Sequence, residues 1–438
     1  DRLLMGHVLQ QRYTHPAYKA QFADLREWLV HYKNEPGADE VYDLARKRAP
    51  KGAGRLPKPA PIPVRAQGGT EPDDAYPSEK SPAGQRWREG LADFEAKRYD
   101  AAVEAFASLA RARGLSGGMH AAAAFWAARA QKAAGSDEHV KFWLESAADH
   151  QTSFYGLLAA AQLGQGSGLE WRTPTLSENG LDRLRRDPAL RRAIALVQAG
   201  QPHLAELEMD AAYSRNGQGR RSILLALATA LGLPQAQLRI SSDMNAGAGS
   251  LSASLYPVPL WTPTGGFKVD PAFLFALMRQ ESRFDAFAES PAGARGLMQI
   301  MPGTAKLVSI HAGEDSDALF NPIINLTMGQ RYIEALQADL GGRADPMTLA
   351  VAYNMGPNAL AKWRKKMGRG KDPLLFVEGF SDLEPRLHAK RVLASFWIYC
   401  MRFGRGGDSL VAMAKGKWPD ALSRPKASER GPAVAANE

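Results

Sequence analysis

The chain has 438 residues, 45% of them hydrophobic, which is long enough for about two or three domains with sizeable cores. Its formal net charge of +9 favours anionic partners, such as nucleic acid, acidic lipid or an acidic polymer, without choosing among them. The single cysteine, Cys400, excludes an internal disulfide and any zinc site that needs two thiolates. No apolar run is long enough to predict a transmembrane segment.

Helical periodicity dominates the chain from its beginning. Tyr18, Phe22 and Leu25 follow the spacing of one helix face, and strand-like alternation is nearly absent throughout. We therefore expect an all-α protein, with helices in residues 1–49. Residues 50–83 are rich in proline, which blocks helix formation, and they are predicted to be a linker or a surface excursion.

Residues 84–245 contain short helical patterns separated by glycine and proline. Asp100–Phe106 and Asp137–Trp143 resemble each other weakly, about one helical hairpin apart. Hairpins of this kind bury their apolar faces by stacking, so this region is predicted to be an α-helical solenoid.

A second helical unit, residues 246–406, follows a change in composition at Asn245–Ser250. Three of its helices are predicted to begin alike, with an N-cap side chain and then proline at the first helical position: Asp270–Pro271, Asn321–Pro322 and Asp345–Pro346. Residues 407–438, rich in glycine, proline and alanine, are predicted to be a flexible tail.

The helix that begins at Pro271 carries an unusual carboxylate. Its apolar stripe is formed by four side chains that lie one or two turns before Glu281: Phe273, Leu274, Leu277 and Met278. A glutamate on a buried stripe is rare unless it is paired or functional. Burial and the negative end of the helix dipole both favour the protonated acid, which general acid catalysis needs. Spacing alone leaves two interpretations open, a catalytic acid or the ion-pair partner of Arg279 or Arg283.

Three sequence blocks follow one another from this point. They are Glu281-Ser282, then SPAGARGLMQIMPGTA at Ser290–Ala305, then AYNMGP at Ala352–Pro357. Over residues 262–405 the chain resembles the Slt-type soluble lytic murein transglycosylases, whose catalytic domain is goose-lysozyme-like. Residues 7–13, 120–129 and 152–160 resemble, more loosely, the superhelical domain of the same enzymes.

This resemblance implies a helical-hairpin solenoid, truncated at its start, followed by a lysozyme-like catalytic domain. It implies that Glu281 is the catalytic acid and base, and that Ser290 lies near its carboxylate. Gln299 and Met301 correspond to residues that line the cleft and hold the glycan. Tyr353 and Asn354 belong to the third block, whose tyrosine points at the catalytic centre.

A late family motif, FVESIPFxETRxYVK, corresponds to residues 376–390. Glu378, Glu384 and Arg386 keep the family's spacing, and Glu384 is expected to bind substrate. The departures include Pro385 in place of threonine and His388 in place of tyrosine.

The resemblance implies cleavage of the MurNAc-β-1,4-GlcNAc bond of peptidoglycan without water. Protonated Glu281 would give its proton to the bridging oxygen and then take a proton from the muramic C6 hydroxyl, which attacks C1 and forms a 1,6-anhydro sugar. No metal or other cofactor is expected, because HExxH is absent and the nine histidines show no ligand spacing.

The expected partners are peptidoglycan glycan strands and, through the solenoid, proteins of cell-wall synthesis or turnover. We expect a periplasmic monomer whose signal peptide is removed or absent from this chain. Two alternatives stay open: a goose-type muramidase that uses water, and a solenoid scaffold with a degenerate catalytic domain. Nucleic-acid binding is disfavoured, because no recognised motif is present.

Overall fold

The structure is a computed structural model, and it describes residues 2–60, 76–166, 168–216, 220–244, 252–308, 316–367, 370 and 372–423. Within these ranges the chain is helices and loops, and its β-pairing is limited to two isolated bridges, Glu289–Arg295 and Arg295–Ile300. The expected all-α class is confirmed. In the same ranges, no helix combines the length and the apolar character needed to cross a lipid bilayer.

In the described ranges, the helices follow one another and are joined by loops. Before residue 245 they are α1 (Met5–Thr14), α2 (Phe22–Tyr32), α3 (Ala38–Arg48), α4 (Pro82–Glu95), α5 (Tyr99–Ala110), α6 (Gly117–Ala133), α7 (Val140–Ala148), α8 (Phe154–Gln162), α9 (Glu178–Arg185), α10 (Pro188–Gln198), α11 (Pro202–Asn216), α12 (Arg221–Ala230) and α13 (Pro234–Asp243). After residue 251 they are α14 (Ser252–Leu255), α15 (Pro271–Glu281), α16 (Pro302–Val308), α17 (Pro322–Asp339), α18 (Pro346–Met355), α19 (Pro357–Met367), α20 (Pro373–Glu378), α21 (Leu383–Arg402) and α22 (Asp408–Ala414), with a short 3₁₀ helix at Ser316–Phe320.

One compact unit consists of Asp1–Ala66, Arg172–Ala246 and Pro257–Leu260. Helices α2 and α3 enclose a small core around Trp28, and α10 packs along α11 in the same unit. Helices that follow one another in the chain are therefore also packing partners in this unit.

The other compact unit consists of Gln67–Trp171, Gly247–Tyr256 and Trp261–Glu438. Helices α4 to α8 each pack on the next one along the chain. Helix α21 packs against α15, α18, α20 and α8, so it runs through the middle of this unit. The rings of Phe154 in α8 and Trp397 in α21 stack with their centroids 5.3 Å apart.

The predicted division at residues 84–245 differs from the observed units. Residues 84–171 belong with the helices after 261, whereas residues 172–244 belong with the N-terminal helices. The physical reason is that α8 is apolar on almost every side, so its buried residues, Phe154 and Tyr155 among them, need cover from α21 as well as from α7. Hydrophobic periodicity shows that a face is buried but does not show which helix covers it.

The structure also differs from the predicted linker, residues 50–83, and from the predicted tail, residues 407–438, because each of them contains part of a helix. Helix α4 begins at Pro82, within the predicted 50–83 linker, because the Ser81 side chain accepts a hydrogen bond from the Gly84 N–H. Helix α22 lies within the predicted 407–438 tail, because Leu410 and Met413 are buried where α22 packs on α8. Residues 61–75 and 424–438, which also belong to those two predictions, lie outside the described residues.

Candidate active site

Helix α15 presents one carboxylate at its last residue. The helix begins as predicted, with the Asp270 carboxylate accepting a hydrogen bond of 2.9 Å from the Ala272 N–H and with Pro271 at the first position. Every residue from Pro271 to Arg279 is buried, including the predicted stripe. Glu281 therefore emerges from an embedded helix, and its side chain is 17% exposed. A carboxyl in this position is sheltered from bulk water but still accessible from it.

The backbone turns sharply directly after Glu281. The Ser282 hydroxyl contacts the carbonyl oxygens of Met278 and Leu297 at 3.2 and 2.7 Å. Arg283 and Phe284 both have positive φ, +53° and +67°, and so does Gln299, at +47°. Left-handed backbone is costly for such residues and persists where the surroundings enforce it, as the complete burial of Phe284 does at this turn. Backbone strain of this kind is typical of functional sites.

A buried asparagine holds the loop that faces Glu281. The Asn325 side chain, from α17, accepts a 2.8 Å hydrogen bond from the Met298 N–H and donates to the carbonyls of Arg295 and Leu319, both at 2.8 Å. Gly296 in this loop has a φ of +72°, and a Cβ there would overlap the Leu319 carbonyl. Sequence reasoning did not single out Asn325; its signal was an amide in the middle of an otherwise apolar helix face.

Three predicted substrate residues lie in and after this loop. The Gln299 amide donates to the carbonyls of Ala288 and Gly296 at 3.1 and 3.0 Å. The Ser290 hydroxyl accepts a 3.0 Å hydrogen bond from the Ala294 N–H. These two side chains therefore stabilise the loop's own turns, and Met301, 41% exposed, stands at its end. Glycan binding by the three stays a prediction.

Helix α18 brings Tyr353 and Asn354 to the same region. The Tyr353 hydroxyl donates a 2.6 Å hydrogen bond to the Met298 carbonyl. Burial, and then the nearby charge of Glu281, raise the pKa of Tyr353 well above its ordinary value, so this phenol stays neutral. The Asn354 amide donates to Glu384 Oε1 at 2.7 Å. Tyr353 is thus beside Glu281, and Asn354 is paired with the predicted substrate residue Glu384.

Helix α21 contributes a residue that sequence reasoning did not place in the site. His388 Nε2 lies 2.7 Å from Glu281 Oε1, and the imidazole side chain is only 5% exposed. The signal in the sequence was the departure from the family's tyrosine at this position. The contact itself joins residues 107 positions apart, so no local pattern revealed it.

A cluster of side chains that could ligate a metal ion lies in the compact unit that contains the N-terminal helices. Among the described residues, the side chains of His7, Glu35 and Glu208 approach one another closely enough to share an ion. The Arg192 guanidinium already occupies this cluster, with Nε 2.6 Å from Glu208 Oε1 and a second nitrogen 3.3 Å from Glu35. The cluster is therefore a buried ion network with its positive charge supplied by arginine.

The comparisons with known proteins agree with this geometry. Residues 263–376 match the family described as "Transglycosylase SLT domain". The soluble lytic murein transglycosylase of Escherichia coli K12 is 32% identical over 161 residues, which is 35% of this chain and 24% of that protein. The chain therefore spans about a quarter of that curated relative's length in the aligned region.

Two solved structures resemble the chain over most of its length. The 70 kDa soluble lytic transglycosylase of E. coli aligns with a TM-score of 0.60 and 20% identity, covering 88% of this chain and 60% of that one. The lytic transglycosylase Slt of Pseudomonas aeruginosa, solved as an inactive Glu-to-Gln mutant, aligns with a TM-score of 0.58 and 19% identity, covering 91% and 61%. At this identity the likeness establishes the fold.

Helix α15, the loop held by α17, and helices α18 and α21 thus form an all-helical site in which the carboxyl at the end of a buried helix lies beside His388. Residues 263–376 of this chain thus match the transglycosylase SLT domain family, the kind of family that its sequence blocks resemble.

Proposed function

We propose that this protein is a lytic transglycosylase that cleaves the MurNAc-β-1,4-GlcNAc bond of peptidoglycan without water. The observation that carries the proposal is the Glu281 carboxyl: it ends a buried helix within the matched family region, and it is partly exposed beside Tyr353. The names of the aligned relatives, which are lytic murein transglycosylases, support the substrate class.

Two proton transfers at one carboxyl would complete the reaction. The Glu281 acid gives its proton to the oxygen between the sugars as the bond to C1 breaks. The resulting carboxylate takes the proton from the muramic C6 hydroxyl, whose oxygen then bonds to C1. This second transfer leaves Glu281 protonated again, and the product is the 1,6-anhydro sugar.

A neutral donor next to the reacting centre fits this scheme. Tyr353 keeps its proton because burial and the Glu281 charge raise its pKa. Hydrolysis by two carboxylates needs a second acid on the far side of the sugar, and the mass of the products distinguishes that route from the one-acid route.

The first prediction concerns Glu281→Gln, which keeps the side-chain shape but has no acidic proton to give. We expect the loss of about 100-fold or more of the activity on purified peptidoglycan, with unchanged circular dichroism. Mass spectrometry of the wild-type digest should show products lighter by one water, about 18 Da, than hydrolysis products.

The matched control is Glu104→Gln, on the surface of α5, which should digest peptidoglycan like the wild type. Wild-type products carrying the added water would instead identify a muramidase. Full digestion by the Glu281 variant would refute the proposed catalytic role.

We propose that the protein acts in the periplasm as a monomer and takes peptidoglycan strands as its partner, with Ser290, Gln299, Met301, Asn354 and Glu384 near the bound glycan. The net charge of +9 supports attraction to an anionic polymer. We also propose that the helices outside the matched region bind proteins of cell-wall synthesis or turnover. In the alternative function, a scaffold with a degenerate catalytic domain, this protein binding would be the sole activity.

A further inference from the structure

The Glu281 carboxyl shares its surroundings with an imidazole. His388 Nε2 and Glu281 Oε1 are 2.7 Å apart, and the His388 side chain is nearly enclosed. Oε2 of Glu281 has no hydrogen-bond partner within the part of the chain that the structure describes. One carboxyl oxygen is therefore held, and the other is left for a substrate.

The second ring nitrogen of His388 makes the charge state of the pair adjustable. Nδ1 is buried and has no hydrogen-bond partner among the described residues. When Glu281 is ionised and the ring is neutral, the ring proton belongs on Nε2, which donates to Glu281, and Nδ1 is a bare acceptor. When Glu281 is protonated and the ring is neutral, the carboxyl hydroxyl donates to Nε2 and the ring proton lies on Nδ1. With a charged ring, Nδ1 carries an unpaired N–H. None of the described residues holds Nδ1 and so fixes the ring in one state, in contrast to a histidine whose Nδ1 is bonded to a carbonyl.

We propose that His388 is a positioning residue that holds Glu281 Oε1 and shares with Glu281 the proton used in the reaction. The inference rests on the proposed function. When the pair binds one extra proton, that proton resides on either the imidazole or the carboxyl, and the two groups titrate as a unit. Because two sites share the proton, the pair retains it to a higher pH than a lone Glu281 would.

The titratable side chains of α15 and α18 that lie closest in sequence or space to Glu281 and His388 have hydrogen-bond or ring partners of their own. From α18, Tyr353 donates to Met298 and stays neutral. From α15, the Arg279 guanidinium donates to the Leu255 carbonyl and lies over the Tyr256 ring. Arg283 comes two residues after Glu281, on the strained turn.

The charged side chains of α21 are engaged elsewhere. Glu384, one turn before His388, accepts from Asn354. Lys390 and Arg386 lie within 2.7 and 3.8 Å of the Glu378 carboxylate. Arg391 lines a small cavity with Tyr155 and Lys390. Among the described residues, Glu281 is therefore the ionisable group in direct contact with the imidazole.

The test compares three replacements at position 388 across pH 4 to 9. His388→Gln and His388→Tyr keep a hydrogen-bond donor for Glu281 but provide no second site for the proton, whereas His388→Phe removes the donor. The measured quantity is kcat/KM for anhydro-product release from peptidoglycan. In the wild type, we expect activity to fall as the pH rises, because the pair then loses its proton.

We expect this alkaline limb to move by about one pH unit or more towards acid in His388→Gln and His388→Tyr, with activity at the best pH kept within about 10-fold. His388→Phe should lose about 10-fold more, because Oε1 is no longer held. An alkaline limb at the same pH in the wild type and both donor variants would overturn the proposal.

A second readout does not depend on activity. In protein labelled at histidine, the NMR signal of the His388 ring, assigned by its loss in His388→Gln, should change at lower pH in Glu281→Gln than in the wild type. An unchanged ring titration would overturn the shared proton. A wild type that releases no anhydro product would instead refute the proposed function, and the NMR comparison alone would then decide the pairing.

Discussion

The buried charge cluster around Glu378 gives the most quantitative prediction. Glu378 ends α20 with its side chain 1% exposed, and the Lys390 ammonium, 4% exposed, lies 2.7 Å from its Oε1. The Tyr155 hydroxyl of α8 donates to the same oxygen at 2.6 Å, and Arg386 lies 3.8 Å from the other. One carboxylate thus joins α8, α20 and α21, the helix that carries His388.

Glu378→Ala would leave the Lys390 ammonium buried without a counter-charge. Breaking a buried pair in this way costs about 3–5 kcal/mol, and the Tyr155 hydroxyl loses its acceptor as well, a further cost of about 1–3 kcal/mol. These costs share partners and do not add fully. We expect a loss of about 4 kcal/mol in the free energy of opening of α21.

The sign of the pH dependence follows from the charges. Burial opposes ionisation of Glu378, but Lys390 and Arg386 outweigh it, so the pKa of Glu378 is lowered from its ordinary value of 4.5. A lowered pKa stabilises the folded state at every pH above the unfolded value, and that contribution is lost as the pH falls through the folded value. The full effect of Glu378→Ala is therefore present at pH 7 and shrinks in acid.

The assay is native-state hydrogen exchange of α21 peptides by mass spectrometry, which reports local opening in a chain of two compact units. The control is the double variant Glu378→Met with Lys390→Met. It removes both charges and should recover most of the loss, because apolar pairs of similar volume replace buried ion pairs well. A single-variant cost below about 1 kcal/mol, or a double variant worse than Glu378→Ala, would refute the reasoning.

Two further predictions concern the loop beside Glu281. Tyr353→Phe removes the donor to the Met298 carbonyl, so we expect about 1 kcal/mol less stability and about 10-fold lower activity. Because the raised pKa keeps Tyr353 neutral, Tyr353→Phe should reduce activity by the same factor at every pH. A change in the pH at which activity rises or falls would contradict this expectation. Gly296→Ala places a Cβ against the Leu319 carbonyl at a left-handed position, and we expect a loss of about 1–3 kcal/mol in thermal unfolding. Wild-type stability of Gly296→Ala would show that α17 does not constrain this loop.

Local chemistry accounts for what the sequence predicted well. Each of the three predicted Asp-Pro or Asn-Pro pairs begins a helix where expected, with Asp270, Asn321 and Asp345 all accepting backbone N–H hydrogen bonds. Helix starts of this kind need only residues within one turn, so they can be read without tertiary structure. The same holds for the buried stripe of α15, which places Glu281 at its end.

The partners of these helices were decided in three dimensions. The sequence kept two interpretations of Glu281 open, a catalytic acid and a pairing with Arg279 or Arg283; the structure gives it His388, from a helix far along the chain. Likewise, α8 and α22 join the unit of α21, against the predicted boundaries. Amino-acid order determines which faces are apolar and where helices start, but contacts between distant segments depend on how all the faces cover one another, and the surroundings of Glu281 are made of such contacts.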